Sequence, residues 1–187
     1  VLKVVRNLLA KQVDGIIFMG YSMPDELRDE LKSSNTPVVV AGSVINDDEL
    51  ATVRIDYENA AKEATLKLLD NAKDHVAFVT GPLKYVINSN DRLSGYKAAL
   101  AERHVDFDDQ LVVETDGTYQ SSYDQAKKLV EAGVKAAYVS NDNLAVGLLN
   151  GLTDNGVKVP DDFEIISSND TTYTKISRPT ISSITQP

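Results

Sequence analysis

The chain predicts an α/β fold of parallel sheets flanked by helices, and three observations carry that prediction. Short apolar runs alternate with helical patterns along almost its whole length. The runs are continuous instead of alternating, as in strands covered on both faces of a parallel sheet. The residues just after the runs are small and polar: Gly20-Tyr21-Ser22, Gly42-Ser43, Thr80-Gly81-Pro82, Ser140-Asn141-Asp142 and Ser168-Asn169-Asp170.

The elements follow in order. Val1, Val4, Val5, Leu8 and Leu9 keep the i, i+3, i+4, i+7, i+8 spacing of an amphipathic helix, placed near 1 to 12. A strand at Ile16 to Met19 leads to a helix near 24 to 33, with Pro24 suited to its first turn. Strands at Val38 to Ala41 and Val53 to Ile55 come next, then Asp56 as N-cap of a helix near 57 to 70. Strand Val76 to Thr80, a helix near 90 to 103, strand Leu111 to Glu114 and a helix near 121 to 132 follow, the last closed by Gly133. Strand Ala136 to Ser140 precedes a helix near 142 to 154 closed by Gly156, and strands at Glu164 to Ser167 and Ile181 to Ile184 end the series. The last helix is apolar almost all round, through Leu144, Ala145, Val146, Leu148, Leu149 and Leu152. Such a helix is buried on more than one side, under its own sheet or against a second subunit.

Composition narrows the function classes. At 187 residues the chain is long enough for one large domain or two small lobes with a real core. It is 42% hydrophobic and 25% charged, an ordinary globular balance, and it has no cysteine, which removes disulfide scaffolds and thiolate chemistry. No apolar run approaches the ~18 residues of a membrane span, so a soluble chain without membrane contact is expected. The net charge is −9 and the pI about 4.7, the wrong balance for gripping a phosphate backbone. The chain starts on Val1 inside an element and ends at Gln186-Pro187, which reads as a fragment.

Catalytic machinery is not visible. The dinucleotide, Walker and nucleophile-elbow patterns are missing from the sequence. His75 and His104 stand beside charged neighbours and read as surface residues. The acidic pairs Asp47-Asp48, Asp108-Asp109 and Asp161-Asp162 lack the ligand spacing of a calcium loop, so neither metal nor cofactor is expected. In parallel sheets ligands bind beyond the carboxyl ends of the strands, so the polar tips are the candidate site for a small polar ligand. Ser, Asn and Asp also occur at such places simply as caps and turns, and only their convergence argues for a site.

Five segments extend this reading: Val13-Asp14-Gly15-Ile16-Ile17, Pro37-Val38-Val39-Val40-Ala41-Gly42, Arg92-Leu93-Ser94-Gly95-Tyr96, Ser140-Asn141-Asp142-Asn143-Leu144-Ala145-Val146-Gly147 and Arg178-Pro179-Thr180-Ile181-Ser182-Ser183-Ile184-Thr185-Gln186-Pro187. In order and spacing the chain resembles, from end to end, the effector domain of the lac repressor and galactose repressor family. The resemblance implies a periplasmic-binding-protein-like fold of two parallel-sheet lobes. Residues 1–56 would be part of an N-terminal lobe lacking a first strand and a last helix, and 57–187 the C-terminal lobe. DNA would be bound by a separate helix-turn-helix headpiece absent from this chain.

The same resemblance assigns residues. Arg92 of the R-x-x-G motif is the family's effector contact, and a guanidinium fork suits vicinal hydroxyls, carboxylates or phosphates. Asn141, Asn169, Tyr21 and Ser43 are the further strand-tip candidates for the ligand cleft. Most relatives carry Gly-aromatic-Asp-Asp where this chain has Ser167-Ser168-Asn169-Asp170; an amide donates as well as accepts, and the lost charge would have repelled phosphate. The branch of the family that serves carbon catabolite control senses serine-phosphorylated HPr, with sugar phosphates such as glucose 6-phosphate as helpers. For that partner the resemblance points to Tyr173, Lys175 and Arg178, and for a homodimer contact to Leu144 and Leu148. The expected function is thus a cytoplasmic regulator's effector and dimerisation domain, not an enzyme. A periplasmic solute-binding protein is the alternative, and an enzyme acting on a phosphosugar lacks a visible base and nucleophile.

Overall fold

In the computed structural model, which describes residues 1–19, 23–42, 50–72, 75–84 and 87–186, the apolar runs form two parallel sheets. Each sheet lies in its own unit of the chain, Val1–Ile55 and Asp56–Pro187.

The first unit comprises α1 (Leu2–Ala10), β1 (Ile16–Met19), α2 (Asp25–Ser33), β2 (Val38–Ala41) and β3 (Ala51–Val53), with strand order β1-β2-β3. Ile16, Phe18 and Val40 point to one face and pack with Val5 of α1, Leu27 and Leu31 of α2, and Leu50. Arg6 ties the two helices together through Glu30 at 2.9 Å and Glu26 at 3.2 Å. Ile17, Met19 and Val53 are exposed, so β1 alternates in burial and, among the described residues, only one face of this sheet is covered, where cover on both faces was expected. β3 lies two residues earlier than its apolar content suggested. Pairing defines it, since Ala51, Thr52 and Val53 stand opposite Val39, Val40 and Ala41. Pro24 is the extended N-cap of α2 and not part of its first turn.

The second unit runs α3 (Tyr57–Ala72), β4 (Val76–Thr80), α4 (Ile87–Glu102), a 3₁₀ turn at Asp109–Leu111, β5 (Val112–Glu114), α5 (Tyr119–Tyr123), α6 (Ala126–Glu131), β6 (Ala136–Val139), α7 (Asp142–Asp154), β7 (Glu164–Asn169), α8 (Thr172–Ile176) and β8 (Ser182–Thr185). Its strand order is β5-β4-β6-β7-β8, all parallel. The chain steps from β4 to β5 on one side and then crosses to β6, β7 and β8 on the other, so the topological switch point, where doubly wound folds open a crevice, lies between β4 and β6. β4 and β6 are buried along their whole length. Val76, Phe78, Ala136 and Tyr138 face α3 and α4, while Ala77, Val79, Ala137 and Val139 face α6 and α7.

Local chemistry sets the boundaries. Asp56 Oδ1 accepts the Asn59 N–H at 3.0 Å and caps α3, and Gly133 and Gly156 end their helices in the left-handed conformation. The helix expected over 121–132 is two: a tightened turn, with Gln125 N–H bonded to Ser122 O, separates α5 from α6. α8 was not expected, because Thr171–Ser177 has no apolar period. Its turn is held by hydroxyls instead, Thr174 Oγ1 donating to Thr171 O at 2.9 Å and Ser177 Oγ to Thr174 O at 3.0 Å.

Candidate functional site

The carboxyl ends of β4, β6 and β7 lie side by side in the second sheet, and they bring Thr80, Ser140-Asn141 and Ser168-Asn169 to one edge. Arg92 reaches the same edge from α4. Gly95, one turn later, lets α4 press onto α3 so closely that a Cβ there would lie 2.0 Å from Glu58 O. That approach sets the Arg92 guanidinium over the Tyr57 ring of α3, 4.1 Å from its centroid.

Arg92 is 6% exposed, and among the described residues no carboxylate pairs with it. One Nη donates to Asn88 O at 3.3 Å, while the buried Nε has no partner among the described residues. The Tyr138 phenol beside it is pushed above its ordinary pKa by burial, against the opposing pull of Ser168 and Arg92. Tyr138 and Ser168 share a hydrogen bond of 3.0 Å, which carries the network from β6 to β7. Thr80 Oγ1 donates to buried Ser89 at 3.3 Å, and Thr115 bonds Thr80 O through both its N–H and its hydroxyl.

Both amides have their oxygens engaged within the protein. Asn141 Oδ1 caps α7 by accepting Leu144 N–H at 3.0 Å, and Asn169 Oδ1 accepts from Gln186 Nε2. The amide nitrogens and the guanidinium remain as donors, so the edge suits a ligand rich in acceptor oxygens. Tyr21 and Ser43 lie outside the described residues. Reading the sequence missed Tyr57 and Tyr138. A tyrosine inside the otherwise apolar Ala136–Val139 run was the available signal, since a buried phenol needs a partner.

Around α8, Tyr173 and Ile176 are exposed one turn apart. Lys175 Nζ sits 3.3 Å from Asp170, and one Nη of Arg178 caps α8 through the carbonyls of Lys175, Ile176 and Ser177. Leu144 and Leu148 require a correction as dimer contacts. Both are fully buried within their own unit, beside Leu149, Leu152 and Val139. α5 covers α7 so tightly that a Cβ on Gly147 would lie 2.3 Å from Tyr119 O, which accounts for a helix apolar all round without a second subunit. His75 and His104 are exposed and line a surface hollow with Arg103 and Asp106, at the amino end of β4 and far along the sheet from the tips.

Among the described residues no helix is long and apolar enough to cross a membrane, and no three His, Asp or Glu side chains gather as a metal site would require. A family model described as periplasmic binding proteins and sugar binding domain of LacI family matches residues 1–187. Catabolite control protein A of Streptococcus mutans is 47% identical over 184 residues, covering 98% of this chain and 55% of that protein. The crystal structure of the transcription regulator CcpA of Lactococcus lactis superposes with a TM-score of 0.85 at 43% identity, over 99% of this chain and 68% of that one. A complex of the transcriptional regulator CelR with cellobiose gives 0.86 at 26% identity, over 99% of this chain and 57% of that one. The chain spans about half the length of the curated relatives it matches. It belongs to the LacI family's periplasmic-binding-protein-like sugar-binding domains, and within them it is similar to catabolite control protein A.

Proposed function

We propose that this chain is the effector domain of a cytoplasmic, dimeric transcriptional regulator of carbon catabolite control, and that its strand-tip edge takes a small anionic sugar such as glucose 6-phosphate. One observation carries the reading: Arg92, a buried arginine, has no carboxylate partner among the described residues and an unsatisfied Nε. Burying an unpaired charge is costly, and a ligand that brings the missing negative charge offsets that cost on binding. Asn169 supports the same ligand class, because an amide does not repel an oxyanion as the relatives' carboxylate would. The regulators among the relatives favour this reading over a transporter's solute receptor. Operator DNA would be contacted through a separate headpiece, in keeping with the net charge of −9.

Serine-phosphorylated HPr is proposed to act on the segment carrying Tyr173, Lys175 and Arg178. A phosphate there would compete with Asp170 for Lys175, while Tyr173 and Ile176 supply apolar contact. Calorimetric titration tests the whole reading. Glucose 6-phosphate should bind, glucose should bind at least tenfold more weakly, and Arg92→Ala should remove most of the phosphate ester's affinity at ~2 kcal/mol or more, the scale of a charged hydrogen bond. Equal affinity for both sugars, or unchanged affinity in Arg92→Ala, would refute the anionic effector. Equal binding of phosphorylated and unphosphorylated HPr would refute the phosphate contact.

A further inference from the structure

Asp142 is 1% exposed at the first position of α7, and no cation among the described residues pairs with it. Its carboxylate is satisfied by three donors, each from a different element. On Oδ1 it accepts Ser167 Oγ of β7 at 2.5 Å and Ser183 Oγ of β8 at 2.9 Å. On Oδ2 it accepts the backbone N–H of Thr171, the N-cap of α8, at 2.6 Å. Ser183 has given its hydrogen to the carboxylate, and its oxygen accepts Asp170 N–H at 3.0 Å.

Asn169, the last residue of β7, and Asp170, which precedes that N-cap, both have positive φ, 108° and 51°. Asn and Asp tolerate positive φ better than other side chains do, but two such residues in succession still cost conformational energy that surrounding bonds offset. A carboxylate accepts and never donates, so its charge dictates the direction of each bond in the cluster. The amino terminus of the 13-residue α7 favours that charge in turn.

We infer that Asp142 is a positioning residue whose carboxylate holds the left-handed Asn169–Asp170 turn, and that through this turn occupancy of the strand-tip edge is conveyed to α8. The turn joins the Asn169 amide on one side to Thr171 and α8 on the other. The conveyance rests on the effector reading proposed above; the holding of the turn does not.

Residue-resolved amide exchange on the whole chain tests both. Asp142→Asn leaves a single acceptor oxygen in nearly the same shape, so Asp170 or Thr171 should exchange about tenfold faster, the scale of one lost hydrogen bond. α3 and α4 serve as the unchanged reference. Ser183→Ala, with Asp142 intact, should speed Asp170 alone. Unchanged exchange at both amides in Asp142→Asn, or an unchanged Asp170 in Ser183→Ala, overturns the holding of the turn, and the second variant decides by itself where the first does not fold. At saturating glucose 6-phosphate the wild-type α8 amides should slow, while Asp142→Asn with ligand bound should show no such slowing. Equal slowing in both overturns the conveyance. A wild-type chain that binds no glucose 6-phosphate removes the effector reading and the conveyance with it, and the ligand-free comparison still decides whether Asp142 holds the turn.

Discussion

Gly95→Ala sets two effects of opposite sign against each other. Intrinsic helix propensity favours alanine by ~1 kcal/mol inside a helix such as α4. Packing opposes it. The new Cβ would stand 2.0 Å from Glu58 O, 2.9 Å from Ala61 Cβ and 2.9 Å from Lys62 N. Ordinary carbon to oxygen contact is about 3.3 Å, so α3 and α4 must part by roughly 1 Å. The obstacles are two backbone atoms and a Cβ, none of which moves without its helix. Overpacking of this kind costs up to ~3 kcal/mol. The net expectation is a loss of about 2 kcal/mol. For a unit this size that lowers the thermal midpoint by roughly 8 °C in calorimetry, with a matching shift in urea unfolding followed by circular dichroism. The substitution should also weaken the proposed effector, because parting the helices draws the Arg92 guanidinium from the Tyr57 ring beneath it. A variant as stable as the wild type, or more so, would show that propensity wins and that Gly95 is no packing requirement.

Two further expectations concern the core. Leu148→Ala should cost ~2–5 kcal/mol by leaving a cavity among Leu144, Leu149 and Leu152. Full stability combined with a changed sedimentation coefficient would return that side chain to an interface. Tyr96 and Tyr138 are buried phenols whose pKa values are raised chiefly by burial. A folded pKa above the unfolded value of ~10 means stability that is complete below that pH and lost as pH climbs from there toward the folded values. Urea unfolding at pH 9 and pH 11 should therefore show a steep decline that Tyr96→Phe makes shallower; an identical slope in that variant would contradict the assignment.

The legible parts of the sequence were those where one physical signal dominates. β4 and β6 read as strands because both faces are buried, and their runs are accordingly apolar without a break. The caps at Asp56, Gly133 and Gly156 read directly, since each answers a local backbone need. Signals shared between elements were not legible. β3 is defined by its register on β2, α8 by hydroxyl bonds across one turn, and the break between α5 and α6 by a single tightened turn. At the strand tips, Arg92 and Asn141 were legible as motif residues. Tyr57 was not, because its place under the guanidinium depends on how closely α3 and α4 approach. Leu144 and Leu148 misled for a related reason: an all-round apolar helix demands cover, and the sequence does not say that α5 supplies it.

The polarity of the second unit's upper edge follows from where its acceptors are spent. Asn141 gives its oxygen to the cap of α7 and Asn169 gives its oxygen to Gln186. Asp142, the buried carboxylate nearest them in sequence, is committed to Ser167, Ser183 and Thr171. Donors are left over: the two amide nitrogens and the guanidinium of Arg92. An edge so arranged discriminates by what its guest accepts, and it penalises a guest whose hydroxyls must all donate. A carboxylate at position 169 would work against that preference by adding an acceptor and a negative charge to the same edge. Under the effector reading proposed above, the amide at Asn169 therefore favours an anionic guest over a neutral sugar.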